Sequence, residues 1–337
     1  MSIRLSGFDV VKGAAILLVV FGHVWRGLET AGLMPDQALF ARVDAATYLF
    51  HMPVFFLLSG LFFSDKLPPL VFLRSRMMLL IWPMVLWAWL DAGLRFLAHA
   101  PLKGKLLTPF EVLRAPFPSQ GIYWFLLALF TLSLLAYAAA QIPRHLRFWV
   151  IGAMIFTALM GWINVAPFNF LWPSVIYLPP FFAGIVLAMI VPRTALLGKG
   201  FALPGALLFL LGQAILAFHL PEEGHLWAAL ATATATLGFV LIFANLRGPA
   251  PVVARLERLG QLTMPIYLSH IIFTGAARMI LTRFGFDGLA LHLVLGTAAG
   301  VIGPLLLVHA AQRFGLSRWL GFGPMAQRAG PAGARPV

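Results

Sequence analysis

The feature that most constrains this chain is a series of apolar segments, each about as long as a helix that crosses a lipid bilayer. Such a helix rises about 1.5 Å per residue, so about 20 apolar residues span the hydrocarbon layer. Of the 337 residues, 61% are hydrophobic and 10% are charged. Soluble domains carry about 25% charged residues, and no soluble core of this size would bury so much apolar surface. The sequence therefore predicts an all-α, polytopic membrane protein.

We count ten predicted spans, with Pro and Gly interrupting several of them. Helices in lipid tolerate such interruptions where neighbouring helices satisfy the freed carbonyl groups. The predicted spans are Asp9–Leu28, Ala45–Phe63, Arg76–Ala98, Gly121–Gln141, Leu146–Trp162, Phe170–Val191, Phe201–Phe218, His225–Asn245, Leu262–Arg283 and Leu289–Ala311.

The distribution of basic residues predicts the orientation of these spans. With the N-terminus inside, sixteen Lys and Arg residues fall on the inner side and six on the outer side. Loops on the cytoplasmic side of a membrane protein are enriched in Lys and Arg. We therefore expect both termini to be cytoplasmic, in a multi-pass protein of the plasma (inner) membrane. Residues 1–314 form the predicted membrane domain, and residues 315–337, rich in Gly, Pro, Ala and Arg, form a cytoplasmic tail expected to be disordered.

Composition also excludes several classes of function. The chain has no cysteine, which excludes disulfides, thiolate metal sites and cysteine nucleophiles. The net charge is +13, but the basic residues lie at helix ends rather than along one soluble face. We therefore expect no nucleic-acid partner. We predict no metal cofactor. The first apolar run resembles a signal peptide, but the further spans favour a retained helix.

Ionisable residues inside a membrane span are costly and are candidates for a functional site. The first span carries Asp9, Lys12 and His23. Eleven residues separate Lys12 from His23, which returns to nearly the same helix face about 16 Å further along the axis. Asp9 and Lys12 are three residues apart and are expected to pair. Both also fit the simpler role of interfacial residues whose side chains reach water.

Two further ionisable residues are expected at the depth of His23. His51 lies in the second span and Asp91 in the third, each five to seven residues from the outer end by the predicted boundaries. A histidine beside a carboxylate has a fixed tautomer and a raised basicity, as a general base requires. Asp91 instead fits an ion pair with Arg95, four residues later, and the sequence leaves both arrangements open.

Other polar and aromatic residues are weaker candidates. Arg74 and Arg76 precede the third span, where they serve either as ordinary cytoplasmic charges or as a phosphate clamp. Tyr267 and His270 lie together in the ninth span, and Ser59 lies in the second. Core packing accounts for Ser59 equally well.

Four motifs in order resemble the membrane acyltransferase family called acyltransferase 3. The first is Phe8-Asp9-Val10-Val11-Lys12-Gly13 leading to Phe21-Gly22-His23, and the second is Phe50-His51-Met52-Pro53 through Ser59-Gly60. The others are Tyr123-Trp124-Phe125-Leu126 and Gly260-Gln261-Leu262-Thr263-Met264-Pro265-Ile266-Tyr267-Leu268-Ser269-His270. The Asp-x-x-Lys-Gly and His-Met-Pro elements are similar to fucose 4-O-acetylase-like proteins. The resemblance covers nearly the whole chain.

The resemblance implies a ten-helix O-acyltransferase that takes an acyl group, typically acetyl from acetyl-CoA, at the cytoplasmic face. It implies a saccharide, lipid-linked saccharide or glycolipid acceptor. His23 matches the family's essential histidine, and Lys12 stands where the family usually has arginine. Arg74-Ser75-Arg76 departs from the family's Arg-x-x-Arg pattern before the third span.

Together these observations predict an enzyme in which Lys12, Arg74 and Arg76 hold the phosphates of acyl-CoA while His23, His51 and Asp91 carry the chemistry. His23 is expected either to deprotonate the acceptor hydroxyl or to accept the acyl group and relay it. A transporter is the alternative, because ionisable residues in spans also mark substrate pathways. A non-catalytic scaffold has no use for buried charges in lipid.

Overall fold

A computed structural model describes residues 6–99, 106–117, 121–160, 169–198, 200–218, 225–246 and 248–322. Every regular element in these ranges is helical, which confirms the predicted all-α class. The α-helices are α1 (Ser6–Thr30), α2 (Gln37–Tyr48), α3 (His51–Leu61), α4 (Pro69–Arg76), α5 (Trp82–Leu97), α6 (Pro109–Arg114), α7 (Trp124–Ala140), α8 (Arg144–Leu159), α9 (Trp172–Ile176), α10 (Leu178–Ile190), α11 (Ala202–Phe218), α12 (His225–Ala244), α13 (Ala250–Gln261), α14 (Thr263–Arg283) and α15 (Leu289–Arg313).

Seven helical segments within the described residues are long and apolar enough to cross a membrane. They are Ser6–Thr30, Gln37–Leu61, Pro69–Leu97, Asn169–Ile190, Leu226–Ala244, Thr263–Arg283 and Leu289–Arg313. Two shorter apolar helices, α7 and α11, coincide with the predicted fourth and seventh spans. The predicted fifth span corresponds to α8, and its expected end at Trp162 lies outside the described residues. The count of ten spans stays a prediction.

Helix α1 is the central element of the bundle. It packs against α3, α12, α13, α14 and α15, and its apolar window is 67% buried, more than that of any other spanning segment in the described chain. A helix surrounded by protein on most sides can carry polar side chains without exposing them to lipid. The fold therefore places the most polar span where its ionisable groups find protein neighbours.

Close helix packing depends on glycine at two crossings. A Cβ atom on Gly60 of α3 would collide with the carbonyl oxygen of Phe181 in α10, and one on Gly184 would collide with that of Leu57. On α1, Gly13 meets the backbone of Leu256 in α13 in the same way. Small residues let backbones approach closely, which is the main source of helix association in lipid.

The chain remains packed beyond the predicted domain end at residue 314. Trp82 Nε1 donates to the carbonyl of Trp319 at 2.8 Å, and Trp87 Nε1 donates to that of Leu320 at 2.9 Å. Phe322 is buried and stacks on Trp87 with ring centres 5.9 Å apart. The first residues of the expected tail therefore pack against α5, and residues 323–337 lie outside the described chain.

We predict that Gly184→Val destabilises the protein strongly, because the added side chain meets the α3 backbone. Overpacking of a close-packed interior typically costs about 1–3 kcal/mol. Thermal unfolding in detergent measures the loss. Gly152→Val on α8, where nothing lies near the added atom, is the matched control and should unfold close to the wild type. Equal midpoints for the two variants would show that the α3–α10 crossing tolerates bulk.

The predicted orientation is testable because the chain has no cysteine. In intact cells, a membrane-impermeant maleimide should label Pro35→Cys, in the exposed α1–α2 connection, and should label Ala332→Cys only after lysis. This outcome follows from the excess of Lys and Arg on the inner side. The reverse pattern, or equal labelling of both in intact cells, would show that the N-in, C-in assignment is wrong.

Candidate active site

Three histidines from three helices meet beside the second half of α1. The ring of His23 lies 5.1 Å from that of His270 in α14, centre to centre, and the planes are tilted by 50°. His51, at the start of α3, packs against Tyr48, whose ring carries the guanidinium of Arg26 from α1. His23 is half-buried, whereas His51 and His270 are fully buried. His23 is therefore the least enclosed of the three histidines.

Backbone hydrogen bonds fix the tautomers of the two buried histidines. His51 Nδ1 lies 2.7 Å from the carbonyl oxygen of Thr47, and His270 Nδ1 lies 2.8 Å from that of Tyr267. A carbonyl only accepts, so each Nδ1 carries the hydrogen and each Nε2 presents a lone pair. Within the described chain neither Nε2 has a hydrogen-bond partner. Two buried acceptors therefore flank His23.

Arg26 and Tyr48 extend this site and were missed by the sequence analysis. The guanidinium carbon of Arg26 lies 3.2 Å from the centre of the Tyr48 ring, and the Tyr48 ring packs edge-on against His51 at 4.3 Å. Asp44 accepts from Arg26 Nε at 2.6 Å and from Nη2 at 2.8 Å. Arg26 follows His23 by three residues, so the helical spacing contained the signal.

An aromatic layer joins α3, α7 and α9–α10 near the same end of the bundle. Trp124, a candidate from the sequence, stacks on Tyr177 at 5.3 Å, and Tyr177 stacks on Phe56 at 4.5 Å. Tyr267 is buried and its hydroxyl donates to the carbonyl of Ile122. Tyr123 donates in return to the carbonyl of Leu268 at 3.2 Å. These bonds tie the start of α7 to the helix that carries His270.

Asp91 adopts the second of the two arrangements that the sequence left open. Both of its carboxylate oxygens accept from Arg95 Nε, at 3.1 and 3.0 Å, and the pair is largely buried within α5. Both contacts use the single Nε–H of Arg95, so the carboxylate is paired with a cation of its own helix. In this arrangement the Asp91 carboxylate binds Arg95 rather than an imidazole.

The basic residues predicted to bind phosphate lie on two helices, Lys12 in the second turn of α1 and Arg74 and Arg76 at the end of α4. Lys12 pairs with Asp9 at 2.6 Å, as their spacing predicted. Arg74 is exposed, and Arg76 is half-buried with its guanidinium 4.9 Å from the Phe72 ring. A π-helical turn, Met77–Ile81, follows Arg76 directly.

The face of α1 between Lys12 and His23 is closed. Ile16 is 1% exposed and Val20 is 0% exposed, and both belong to the main apolar core. In this conformation packed side chains therefore separate Lys12 from His23 along the helix face that the two residues share. Ser59 is also accounted for locally, because its hydroxyl donates to the carbonyl of Phe55 at 2.7 Å within α3.

Arg147 and Arg193, which are not among the candidates from the sequence, line a cavity of about 210 Å³. Arg193 donates to the carbonyl of Leu61 at 2.8 Å, and its guanidinium lies 5.0 Å from the Phe62 ring, which contacts Phe8 of α1. Arg147 bonds carbonyls at the end of α7 and keeps a buried Nε without a partner in the described chain. The cavity therefore lies toward the Lys12 end of α1.

A family model described as an acyltransferase domain, that of the acyltransferase 3 family, matches residues 5–309. The chain belongs to the acyltransferase 3 family. It is 28% identical over 182 residues to nodulation protein NolL of Mesorhizobium japonicum, covering 53% of this chain and 46% of that protein. It is 30% identical over 161 residues to NolL of Sinorhizobium fredii, covering 45% of this chain and 41% of that protein. The chain thus aligns with less than half the length of these curated relatives. No solved structure matches.

The resemblance stated from motifs is thereby confirmed at the level of the family, and the matched region is an acyltransferase domain of a membrane protein. It encloses every candidate residue, from Asp9 to His270. Among the described residues no three His, Cys, Asp or Glu side chains are arranged to hold a metal ion.

The Asp91–Arg95 pair makes a prediction about the role of Asp91. Asp91→Asn should lower acyl transfer because it leaves the Arg95 charge buried and unpaired, a loss that costs about 3–5 kcal/mol in stability when such a pair is broken. The double variant Asp91→Asn/Arg95→Gln should recover most of both activity and thermal stability. A double variant as inactive as Asp91→Asn would instead show that the carboxylate acts on the reacting groups.

Proposed function

We propose that this protein transfers an acyl group, acetyl in the first instance, from cytoplasmic acyl-CoA to a hydroxyl of a saccharide or glycolipid acceptor. The proposal places it in the plasma (inner) membrane with both termini cytoplasmic. The observation that supports it best is the half-buried His23, whose ring lies 5.1 Å from that of the buried His270, inside a matched acyltransferase domain. Transfer of an acyl group from a donor on one side of the membrane to an acceptor on the other requires a base that the protein holds in the membrane interior.

His23 acts on the acceptor in this proposal. Its unprotonated nitrogen takes the proton of the acceptor hydroxyl, and the oxygen attacks the thioester carbonyl. The carbon–sulfur bond then breaks, the thiolate of CoA leaves, and His23 returns the proton to it. In the relay version His23 attacks the thioester first, the carbon–sulfur bond breaks and CoA leaves as the thiol with the proton of the imidazole. The acceptor oxygen then attacks the acyl-imidazole, the acyl–nitrogen bond breaks, and the hydroxyl proton returns to His23. Both versions balance and need no metal or redox partner.

His51 and His270 orient His23 in either version. Each presents a lone pair on Nε2 that has no partner in the described chain. We propose that in the reacting state the Nε2 of His270, whose ring lies 5.1 Å from that of His23, accepts the N–H of His23 and leaves its second nitrogen free as base or nucleophile. Such an acceptor selects one tautomer, which a general base needs. Tyr267 supports His270 through the backbone bond and through its anchor on Ile122.

The donor enters from the Lys12 end. We propose that Lys12, Arg74 and Arg76 bind its phosphates, with Arg147 and Arg193 as further guanidinium groups at that end. Because Ile16 and Val20 are fully buried, the pantetheine arm reaches His23 only if the helices beside α1 separate. The π-helical turn after Arg76 is a suitable place for such movement, since these turns occur often at functional sites. Donor binding and opening of the core are therefore coupled.

We predict that His23→Ala lowers acyl transfer at least about 100-fold, the usual contribution of a general base, while the protein stays folded. Released CoA is measured with a thiol reagent, and the absence of cysteine from the chain removes any background from the enzyme. Membranes from a strain that lacks the gene supply the acceptor.

His145→Ala, which removes an exposed histidine at the start of α8, is the matched control and should keep full activity. Mass spectrometry of surface glycans with and without the protein identifies the acyl group that is added. Full activity in His23→Ala would remove this residue from the chemistry.

A further inference from the structure

Helix α14 carries a permanent positive charge, Arg278, on the face that points into the bundle. Tyr267 and Thr274 are buried on the same helix, eleven and four residues before Arg278, and this spacing places all three on one face. The opposite face carries the exposed residues Ala276, Met279, Ile280 and Arg283. An ionisable residue that faces the interior of a membrane bundle is a functional-site candidate, and its partner has to be identified.

The side chain of Arg278 lies against α1, just beyond His23. Its Nη1 donates to the carbonyl oxygen of Gly27. A Cβ atom on Gly27 would lie 2.7 Å from that nitrogen, so the guanidinium occupies room that the missing side chain leaves. Gly27 follows His23 by four residues, which places it about 6 Å further along α1 on nearly the same side of the helix. Arg278 therefore lies at the end of the bundle from which the acceptor is proposed to arrive.

No carboxylate of the described chain neutralises this charge. Arg26 pairs with Asp44, and Arg95 pairs with Asp91. Arg278 forms no such ion pair with any described residue, and the carbonyl of its neighbour supplies only a partial negative charge. A charge removed from water is costly unless an opposite charge accompanies it. The arginine therefore lacks the kind of partner that its two neighbours have.

The guanidinium of Arg278 keeps donors that a ligand can reach. Its Nη1 faces Gly27, whereas Nε and Nη2 have no hydrogen-bond partner in the part of the chain that the structure describes. Neither of these two nitrogens is enclosed, so both reach the accessible surface. The N–H groups of Nε and Nη2 point the same way, which matches the paired oxygens of a carboxylate or a phosphate. The free side of the guanidinium is thus suited to an oxyanion.

The position of Arg278 relative to His23 restricts its role. A donor that stabilises the oxyanion of the reacting acyl group has to lie about 2.7–3.1 Å from it. Side chains of a helix lean toward its N-terminus, so the imidazole of His23 leans away from Gly27, and the guanidinium lies about 6 Å or more from the ring. This separation excludes direct contact with the reacting carbonyl. It fits a charged substituent on the far side of the sugar ring whose hydroxyl reacts.

We propose that Arg278 binds a carboxylate or phosphate group of the acceptor saccharide, one sugar ring away from the hydroxyl that His23 acylates. The inference rests on the proposed function and deepens it, because it selects acidic saccharides over neutral ones. The anion neutralises the guanidinium, and the two parallel hydrogen bonds fix the orientation of the sugar. One hydroxyl is then held at the imidazole, which lowers the entropic cost of the transfer.

The charge of the labelled product tests the proposal in the wild-type protein. Purified protein receives 14C-labelled acetyl-CoA and membranes of a strain that lacks the gene, and the saccharides are released and passed over an anion exchanger at neutral pH. We expect the labelled saccharide to be retained, because it carries an acidic group besides the acetyl ester. Label that passes through with the neutral saccharides would overturn the anion site while leaving the acyltransferase proposal standing.

A pair of variants tests whether Arg278 recognises the acceptor. Arg278→Gln should raise the amount of acceptor needed for half-maximal transfer at least about tenfold, because a charge-assisted bidentate contact is lost. This increase should exceed any change in the KM for acetyl-CoA. Arg283→Gln removes an exposed arginine of the same helix and is the matched control, which should behave like wild type. The same acceptor dependence in both variants would contradict the proposal.

A binding test decides the case in which no transfer is seen at all. p-Nitrophenyl glucuronide and p-nitrophenyl glucoside differ by one carboxylate, and a ligand that binds the folded state raises the midpoint of thermal unfolding. We expect the glucuronide to raise the midpoint more than the glucoside does, in wild type and Arg283→Gln but not in Arg278→Gln. Equal midpoints with the two sugars would contradict the proposal. A rise with phosphatidylglycerol alone that Arg278→Gln abolishes would assign the guanidinium to a lipid phosphate instead.

Discussion

The arrangement of this protein depends on burying one polar helix at the centre of an apolar bundle. Helix α1 carries Asp9, Lys12, His23 and Arg26, and the other helices surround it. Charged and polar side chains in lipid are expensive, so each must find a protein partner. Lys12 finds Asp9, Arg26 finds Asp44, and His23 finds the ring of His270. Glycines at the crossings let the neighbouring backbones come close enough to supply these partners.

The same constraint explains why the histidine cluster is suited to chemistry. His51 and His270 donate their Nδ1 hydrogens to backbone carbonyls three or four residues earlier, which leaves two buried Nε2 lone pairs in the cluster. A buried histidine with a purely structural role would be expected to use both ring nitrogens. The cluster instead keeps acceptor capacity unspent at the point where a tyrosine and an arginine converge.

Much of this was available from the sequence, and the rest required the packing. Apolar length predicted the helices, and three-residue spacing predicted the Asp9–Lys12 pair that the structure contains. Motif order led to the family that the comparison confirmed. The sequence could not decide whether Asp91 faces Arg95 or a histidine, because both choices fit one helix. The sequence did not indicate that the guanidinium of Arg26 would lie on the Tyr48 ring. It also did not indicate that Ile16 and Val20 would be buried between Lys12 and His23, because that depends on how the neighbouring helices pack against α1.

The central claim is that a cytoplasmic thioester reaches His23 from the Lys12 end while the acceptor arrives on the other side. A structure of the protein with a non-hydrolysable acetyl-CoA analogue tests it most directly. The account predicts that the analogue's carbonyl carbon lies about 3–3.5 Å from a His23 ring nitrogen or from a bound acceptor hydroxyl, with Ile16 and Val20 moved apart. An analogue whose acyl end stops at the Lys12 side of a closed core would contradict it.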